Sequence, residues 1–181
     1  MLRRGVIAWI LLCAGCGVAT RIDTIGPGFD GTRIVRMRGN VLPTPVGGVG
    51  PIELNAEWVE RREQSSEFAL LVEVHSEELR IRAGESLRLV LDGDTFGLRR
   101  DSATTSWPRL DPTVGEQARY VTTDSLLLRL AGAQDTRVTV RGAAWTEQRR
   151  LSQRNLEAIR SFIDEHVVLE AEPSESAAEE N

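Results

Sequence analysis

The chain has 181 residues, 41% of them hydrophobic, which is enough for one compact domain with its own core. The net charge of −5 is uneven: residues 164–181 hold seven acids and no arginine, and with these and Arg3 and Arg4 set aside, 20 arginines face 20 acids. A folded part without net charge has no electrostatic footprint for nucleic acid, so no nucleic-acid partner is expected. All 22 basic residues are arginine, which a GC-rich genome explains.

The N-terminus reads as an export signal. Arg3 and Arg4 open it, residues 6–12 (Val-Ile-Ala-Trp-Ile-Leu-Leu) form an apolar run, and the small pair Ala14-Gly15 follows. The run is far short of the ~20 apolar residues that a spanning helix needs. Leu11-Leu12-Cys13-Ala14-Gly15-Cys16 resembles the lipobox of bacterial lipoproteins, with Cys13 where that motif usually has Leu. The resemblance implies cleavage after Gly15, a diacylglycerol on the Cys16 thiol, and a fatty acyl chain such as palmitate on its amine. The membrane would then be met through the lipid on Cys16. Gly17 in place of Asp implies, for a Gram-negative source, the outer membrane facing the periplasm. Cys13 would leave with the signal and Cys16 would be capped, so the mature domain would hold no thiol. The expected division is a signal peptide at 1–15, a lipidated tether at 16–32, a single domain at 33–168 and an acidic disordered tail at 169–181.

Residues 17–32 carry Gly26-Pro27-Gly28 and Asp30-Gly31 and few large apolar side chains, which suits a tether. Ile34-Val35-Arg36-Met37-Arg38 predicts a first strand. Residues 43–51 (Pro-Thr-Pro-Val-Gly-Gly-Val-Gly-Pro) predict a loop. Lacking Gly-Lys-Ser/Thr, and with Pro51 lacking an N–H, these glycines do not form a phosphate cradle. Leu54, Ala56 and Trp58 alternate with Asn55 and Glu57, which predicts a strand buried on one face. The apolar run 68–74 (Phe-Ala-Leu-Leu-Val-Glu-Val) predicts a central strand covered on both faces. Leu79 and Ile81 alternate with Arg80 and Arg82, and Leu87, Leu89 and Leu91 share one side. Asp92-Gly93 then predicts a tight hairpin into Thr95-Phe96-Gly97-Leu98. The middle of the chain reads as an antiparallel meander.

Residues 99–117 predict a long polar loop containing Trp107-Pro108. A strand resumes at 120–122. Thr123 or Asp124 caps a short helix with Leu126, Leu127 and Leu130 on one face, ended by Gly132. A strand at 137–141 has its hairpin partner at 145–151. Ser152 caps a last helix, with Leu156, Ile159, Ile163 and Val167 inward and Phe162 on the flank. The expected fold class is α+β: mainly an antiparallel β-sheet or sandwich meander of about eight strands, with two helices at about 123–131 and 152–167.

Material for chemistry is sparse. His75 and His166 are the only histidines. His75-Ser76-Glu77-Glu78 reads as a solvated turn rather than a metal site, and Asp92-Gly93-Asp94 as a hairpin turn rather than a calcium loop. No metal and no cofactor are expected. There is no Gly-x-Ser-x-Gly elbow, and 27 acids make carboxylate pairs inevitable, so no pair stands out and no catalytic residue is assigned. The candidate partner surface is Trp107 with Arg99, Arg100 and Arg109, because Trp and Arg recur at binding surfaces. The competing reading has Trp107 folded back against the sheet edge.

Val138-x-Val140-x-Gly142, Leu151-Ser152, Ile159 and Ile163 resemble the end of the peptidoglycan-binding domain of the outer-membrane protein A family. That family grips diaminopimelate with an Asp after the strand and an Arg in the helix. Ala143-Ala144-Trp145 and Asn155 stand in those places here, so peptidoglycan is not the expected partner. The chain also resembles a functionally uncharacterised kind of bacterial lipoprotein. The shared pieces are Gly84-Glu85-Ser86-Leu87 running to Asp92-Gly93, Tyr120 with Thr123, and Leu151-Ser152 with Asn155-Leu156. The resemblance implies a fold and no activity. The leading expectation is a lipid-anchored, non-enzymatic envelope protein that binds or scaffolds another envelope component, a protein in the first place. The alternatives are an enzyme acting on the cell wall or an envelope polymer, and a peptidoglycan-binding module.

Overall fold

A computed structural model describes residues 20–28, 31–62, 65–76, 79–102 and 114–166. Among them, nine strands form two antiparallel sheets. One has the order β1 (Arg21–Ile25), β2 (Arg33–Arg38), β3 (Ile52–Glu60), β4 (Glu67–Val74) and β7 (Glu116–Thr122). The other has the order β6 (Asp94–Arg99), β5 (Glu85–Leu91), β8 (Thr136–Arg141) and β9 (Thr146–Arg150). With helices α1 (Asp124–Gly132) and α2 (Gln153–His166), this is the expected α+β class. A single apolar core draws on both sheets and both helices, from Val35, Leu54, Leu70 and Tyr120 to Leu89, Val138, Leu130 and Ile159.

The chain changes sheet three times, between β4 and β5, between β6 and β7 and between β7 and β8, and the first change breaks the expected meander. β4 pairs with β3 and β7, not with β5. Leu79 to Arg82 makes no strand. Its only ladder contact among the described residues is the isolated bridge Ile81 to Gly142, so the chain crosses there to the second sheet. The segment expected to be tether also contributes structure: Arg21–Ile25 pairs with β2 along its whole length, Arg21 opposite Arg38 and Ile25 opposite Ile34. The loop expected at 99–117 is shorter at both ends, because β6 runs to Arg99 and β7 begins at Glu116.

Local chemistry explains the turns and caps. Asp92 (φ 49°) and Gly93 (φ 100°) form the two-residue turn between β5 and β6, where both positions need left-handed backbone. The Asp92 carboxylate also accepts from the N–H groups of Gln134 and Asp135, so it ties this hairpin to the α1–β8 connection. Thr123 is the N-cap of α1, its hydroxyl accepting from Leu126 N at 3.2 Å. The Ser152 hydroxyl accepts from Asn155 N at 3.3 Å, and the Asn155 side-chain oxygen accepts from Ser152 N at 3.0 Å. This is a reciprocal capping pair with Asn in the usual Glu position. Arg160 of α2 donates to the carbonyls of Ala131 and Ala133 and so closes the end of α1. Phe162, expected on the flank of α2, is fully buried beside Ile159 and Ile163. Tyr120 and Ser86 join the two sheets through a 2.8 Å hydroxyl contact, and burial pushes the Tyr120 phenol up to about 12.

Candidate functional site

The strand alternation in β3 and β4 sorts side chains by face. Leu54, Ala56, Trp58, Phe68, Leu70 and Val72 enter the core. On the other face, in register, lie Arg36, Glu57 and Ala69, then Asn55, Leu71 and Arg119, then Glu53, Glu73 and Gln117. β4 was expected to be covered on both faces, as it is, whereas on β3 that face was expected to be solvated. Instead Arg36, Asn55 and Glu57 are fully buried, and Arg119 and Glu73 nearly so. Charged groups accept such burial only when paired and hydrogen-bonded, and these are. Glu57 takes Arg36 on one oxygen, at 2.7 Å from Nε and 2.5 Å from Nη2, and Arg119 Nε on the other at 2.8 Å. Arg119 also donates to Glu67 at 2.6 Å and to Asp101 at 3.1 Å. Burial pulls the Arg119 guanidinium down, but the bonds to Glu57 and Glu67 override it, and its pKa ends above the ordinary value.

A second group within this layer is a carboxylate pair. The Asn55 side-chain amide donates to Glu53 at 3.0 Å and to Glu73 at 2.8 Å. Gln117 donates to the other Glu73 oxygen at 2.7 Å. Gly39 N and His75 Nε2 meet Glu53 at 2.9 and 2.8 Å. Burial first, and the Glu53 charge second, raise the Glu73 pKa against the opposing pull of Arg36, Arg38 and the Gln117 bond. His75 is thus a partner of Glu53 rather than part of a purely solvated turn. Glu77 and Glu78 lie outside the described residues. Among the described residues no three His, Cys, Asp or Glu side chains are grouped to hold a metal ion.

The ionic layer continues into a cleft of about 550 Å³ lined by Ile81, Gly84, Arg99, Arg100, Asp101 and Ser102, among others. Arg100 builds its wall. The guanidinium donates to Ile81 O at 2.9 Å and Glu116 at 2.8 Å, and Arg100 N donates to Gly84 O at 2.8 Å. Glu116 is also met by Arg80 at 2.9 Å. Asp101, the cleft's carboxylate among these residues, is held by Arg119. Arg99 is exposed on the rim. Two of the four residues expected at a partner surface, Arg99 and Arg100, therefore share one cleft, with Arg100 acting structurally and Arg99 presented outward. Trp107 and Arg109 lie outside the described residues, as does Cys16.

A second cavity, of about 430 Å³, lies where β1 begins, lined by Thr20, residues 39–44, Ser152, Arg154 and Asn155. Beside it Asn155 donates to Asn40 Oδ1 at 2.7 Å and to Val41 O at 2.9 Å. Asn155 is thus occupied in joining α2 to the 39–42 segment. Ala143 and Ala144 form the β8–β9 turn, and Gly142 lies under the Trp145 indole, where an added Cβ would fall 2.0 Å from its nitrogen. These positions hold the fold together and present no opposed charges for a diaminopimelate group.

No protein-family model matches the chain, and no curated protein or solved structure is similar to it. The buried ionic layer was missed in the sequence. Its one signal was charge at alternating positions in several separate strands (Arg36 and Arg38, Glu53 and Glu57, Arg119), with opposite signs on segments that later pair.

Proposed function

We propose that this chain is a lipid-anchored cell-envelope protein, held through Cys16, whose domain binds or scaffolds another envelope component without catalysing a reaction. The observation that carries the binding half is the Arg99–Ser102 cleft. It offers an exposed guanidinium, backbone groups and an apolar wall at Ile81, while its carboxylate Asp101 is already held by Arg119. A concave site with a few fixed polar groups suits recognition. The enzymatic alternative has one observation on its side, the Glu53–Glu73 pair with its raised member. Those carboxylates are buried and line neither cavity, so a substrate has no described approach to them. The anchoring half rests on the lipobox-like residues. Among the described residues no helix is long and apolar enough to cross a membrane. For a Gram-negative source the location would be the outer membrane, facing the periplasm.

The test is affinity capture from cross-linked native envelopes with the wild type, Cys16→Ser and Arg99→Glu. One specific envelope protein, recovered with the wild type and reduced with both variants, is the expected result. Recovery of wall polymer with no protein would replace this reading with the wall-acting or peptidoglycan-binding one. A Cys16→Ser protein that reaches the membrane fraction at its full level would remove the anchor.

A further inference from the structure

The loop at 43–50 ends in the most exposed large apolar side chain among the described residues. Val46 has a relative exposure of 108%. A lone exposed valine is ordinary, but this one is held in a fixed mount. Gly48 N donates to Pro45 O at 3.0 Å, and Gly47 takes a φ of 78°, so Pro45 to Gly48 is a tight turn with Val46 at its corner. The stem is clamped by a buried guanidinium: Arg149 donates to Leu42 O at 3.3 Å, Thr44 Oγ1 at 3.1 Å and Gly50 O at 2.5 Å, with Glu147 as its counter-ion. The loop has no charged residue, and Pro43, Pro45 and Pro51 have no N–H, so few of its groups resist leaving water.

The place of this loop gives it meaning. Thr44 and Thr20 line the same cavity, and Val46 stands two residues beyond Thr44. Between Cys16 and Thr20 there are four residue steps, a reach of at most about 14 Å. A lipid on Cys16 would therefore bring this end of the domain to the edge of the bilayer's headgroup layer. Val41, also exposed, lies on the same cavity rim.

We propose that the Pro43–Gly50 loop is a membrane-contact finger, with Val46 seated at the headgroup boundary of the bilayer that carries the lipid. The occupant is a phospholipid surface, and the inference rests on the anchor at Cys16. The finger fixes the domain's orientation: the cavity at Thr20 faces the lipid, and the far edge of the five-stranded sheet, at β7, is held away from it.

Because Cys13 and Cys16 are the only cysteines and neither would remain as a free thiol in the lipidated protein, a single introduced cysteine is selectively labelled. Val46→Cys and Val121→Cys, each in the full lipidated chain, would be given an environment-sensitive fluorophore. Both positions are exposed, so the fold tolerates the label. Val121 lies four strands from β1, roughly 19 Å away. The proteins are reconstituted into phosphatidylethanolamine–phosphatidylglycerol vesicles with and without spin-labelled lipid. A severalfold quench at position 46 with little change at 121 is expected. Flotation with the vesicles but no quench at 46 overturns the finger and leaves the anchor standing. Equal quenching at both positions overturns the orientation. Failure to float overturns the anchor, and the finger with it.

Discussion

The two faces of the β2–β3–β4–β7 sheet are built from the same alternation and are both dry, but by opposite means. On one face Leu54, Leu70, Val72 and Tyr120 exclude water with apolar surface, a favourable term of about 25 cal/mol per Å² buried. On the other, Arg36, Glu57 and Arg119 are buried to the same degree and held by short charge-assisted bonds. An apolar face loses stability in proportion to what is removed. An ionic face loses little when a whole pair is exchanged for apolar groups, and much when one partner goes.

The largest expected effect therefore belongs to the ionic face. Arg119→Ala leaves Glu57 with only part of its pairing and strips a guanidinium from Glu67 and Asp101. A loss of about 4 kcal/mol is expected, read as a melting temperature lower by roughly 10 °C. Arg119→Met combined with Glu57→Leu should cost at least 0.5–3 kcal/mol less than the two single changes added together, whereas strict additivity would mean that the contacts carry no coupling. On the apolar face, Leu70→Ala should cost about 3 kcal/mol through a cavity in the shared core. If Leu70→Ala proves clearly worse than Arg119→Ala, the ionic layer is better hydrated than its geometry implies.

How much of this was legible follows the same division. Alternation assigned β3 and β5 and their inward residues, and Asp92-Gly93, Thr123 and Ser152 marked turns and caps, because each acts through bonds within a few residues. The class of fold followed from these local features. The expectations that failed depended on a distant partner, although the central place of β4, buried on both faces, was read correctly. Glu57 reads as a surface residue until Arg36 and Arg119, 21 and 62 positions away, are placed beside it. β1 reads as tether because its residues are mixed in character, and only pairing with β2 makes them a strand. Of the candidate surface, the arginines could be named from the polar loop, but Arg100's engagement by Ile81 O and Glu116 could not.

Asn155 joins the local and distant kinds of bond in one side chain. It caps α2 with Ser152 and reaches across to Asn40 and Val41. Asn155→Ala should cost about 2 kcal/mol, combining a lost cap with a buried Asn40 amide left short of a partner. Asn155→Asp keeps the cap acceptor but loses the donor to Asn40, so its cost separates the two parts in a denaturant titration.

The smallest effect is the one that reports charge rather than packing. Glu73 has its pKa raised in the fold by burial and by Glu53. A carboxyl raised on folding stabilises the native state fully below its unfolded value, near 4.5, and loses that contribution as pH rises through the folded pKa. Ionisation of Glu73 therefore works against folding. Glu73→Gln removes the charge, and rotation of the Gln117 amide lets both of its hydrogen bonds be remade. The variant should melt slightly above the wild type at neutral pH, and the gap should close as pH falls toward about 4. A gap of constant size across that range would mean that Glu73 acts through its shape and hydrogen bonds alone, and the ionic face would then differ from the apolar one in composition but not in its response to pH.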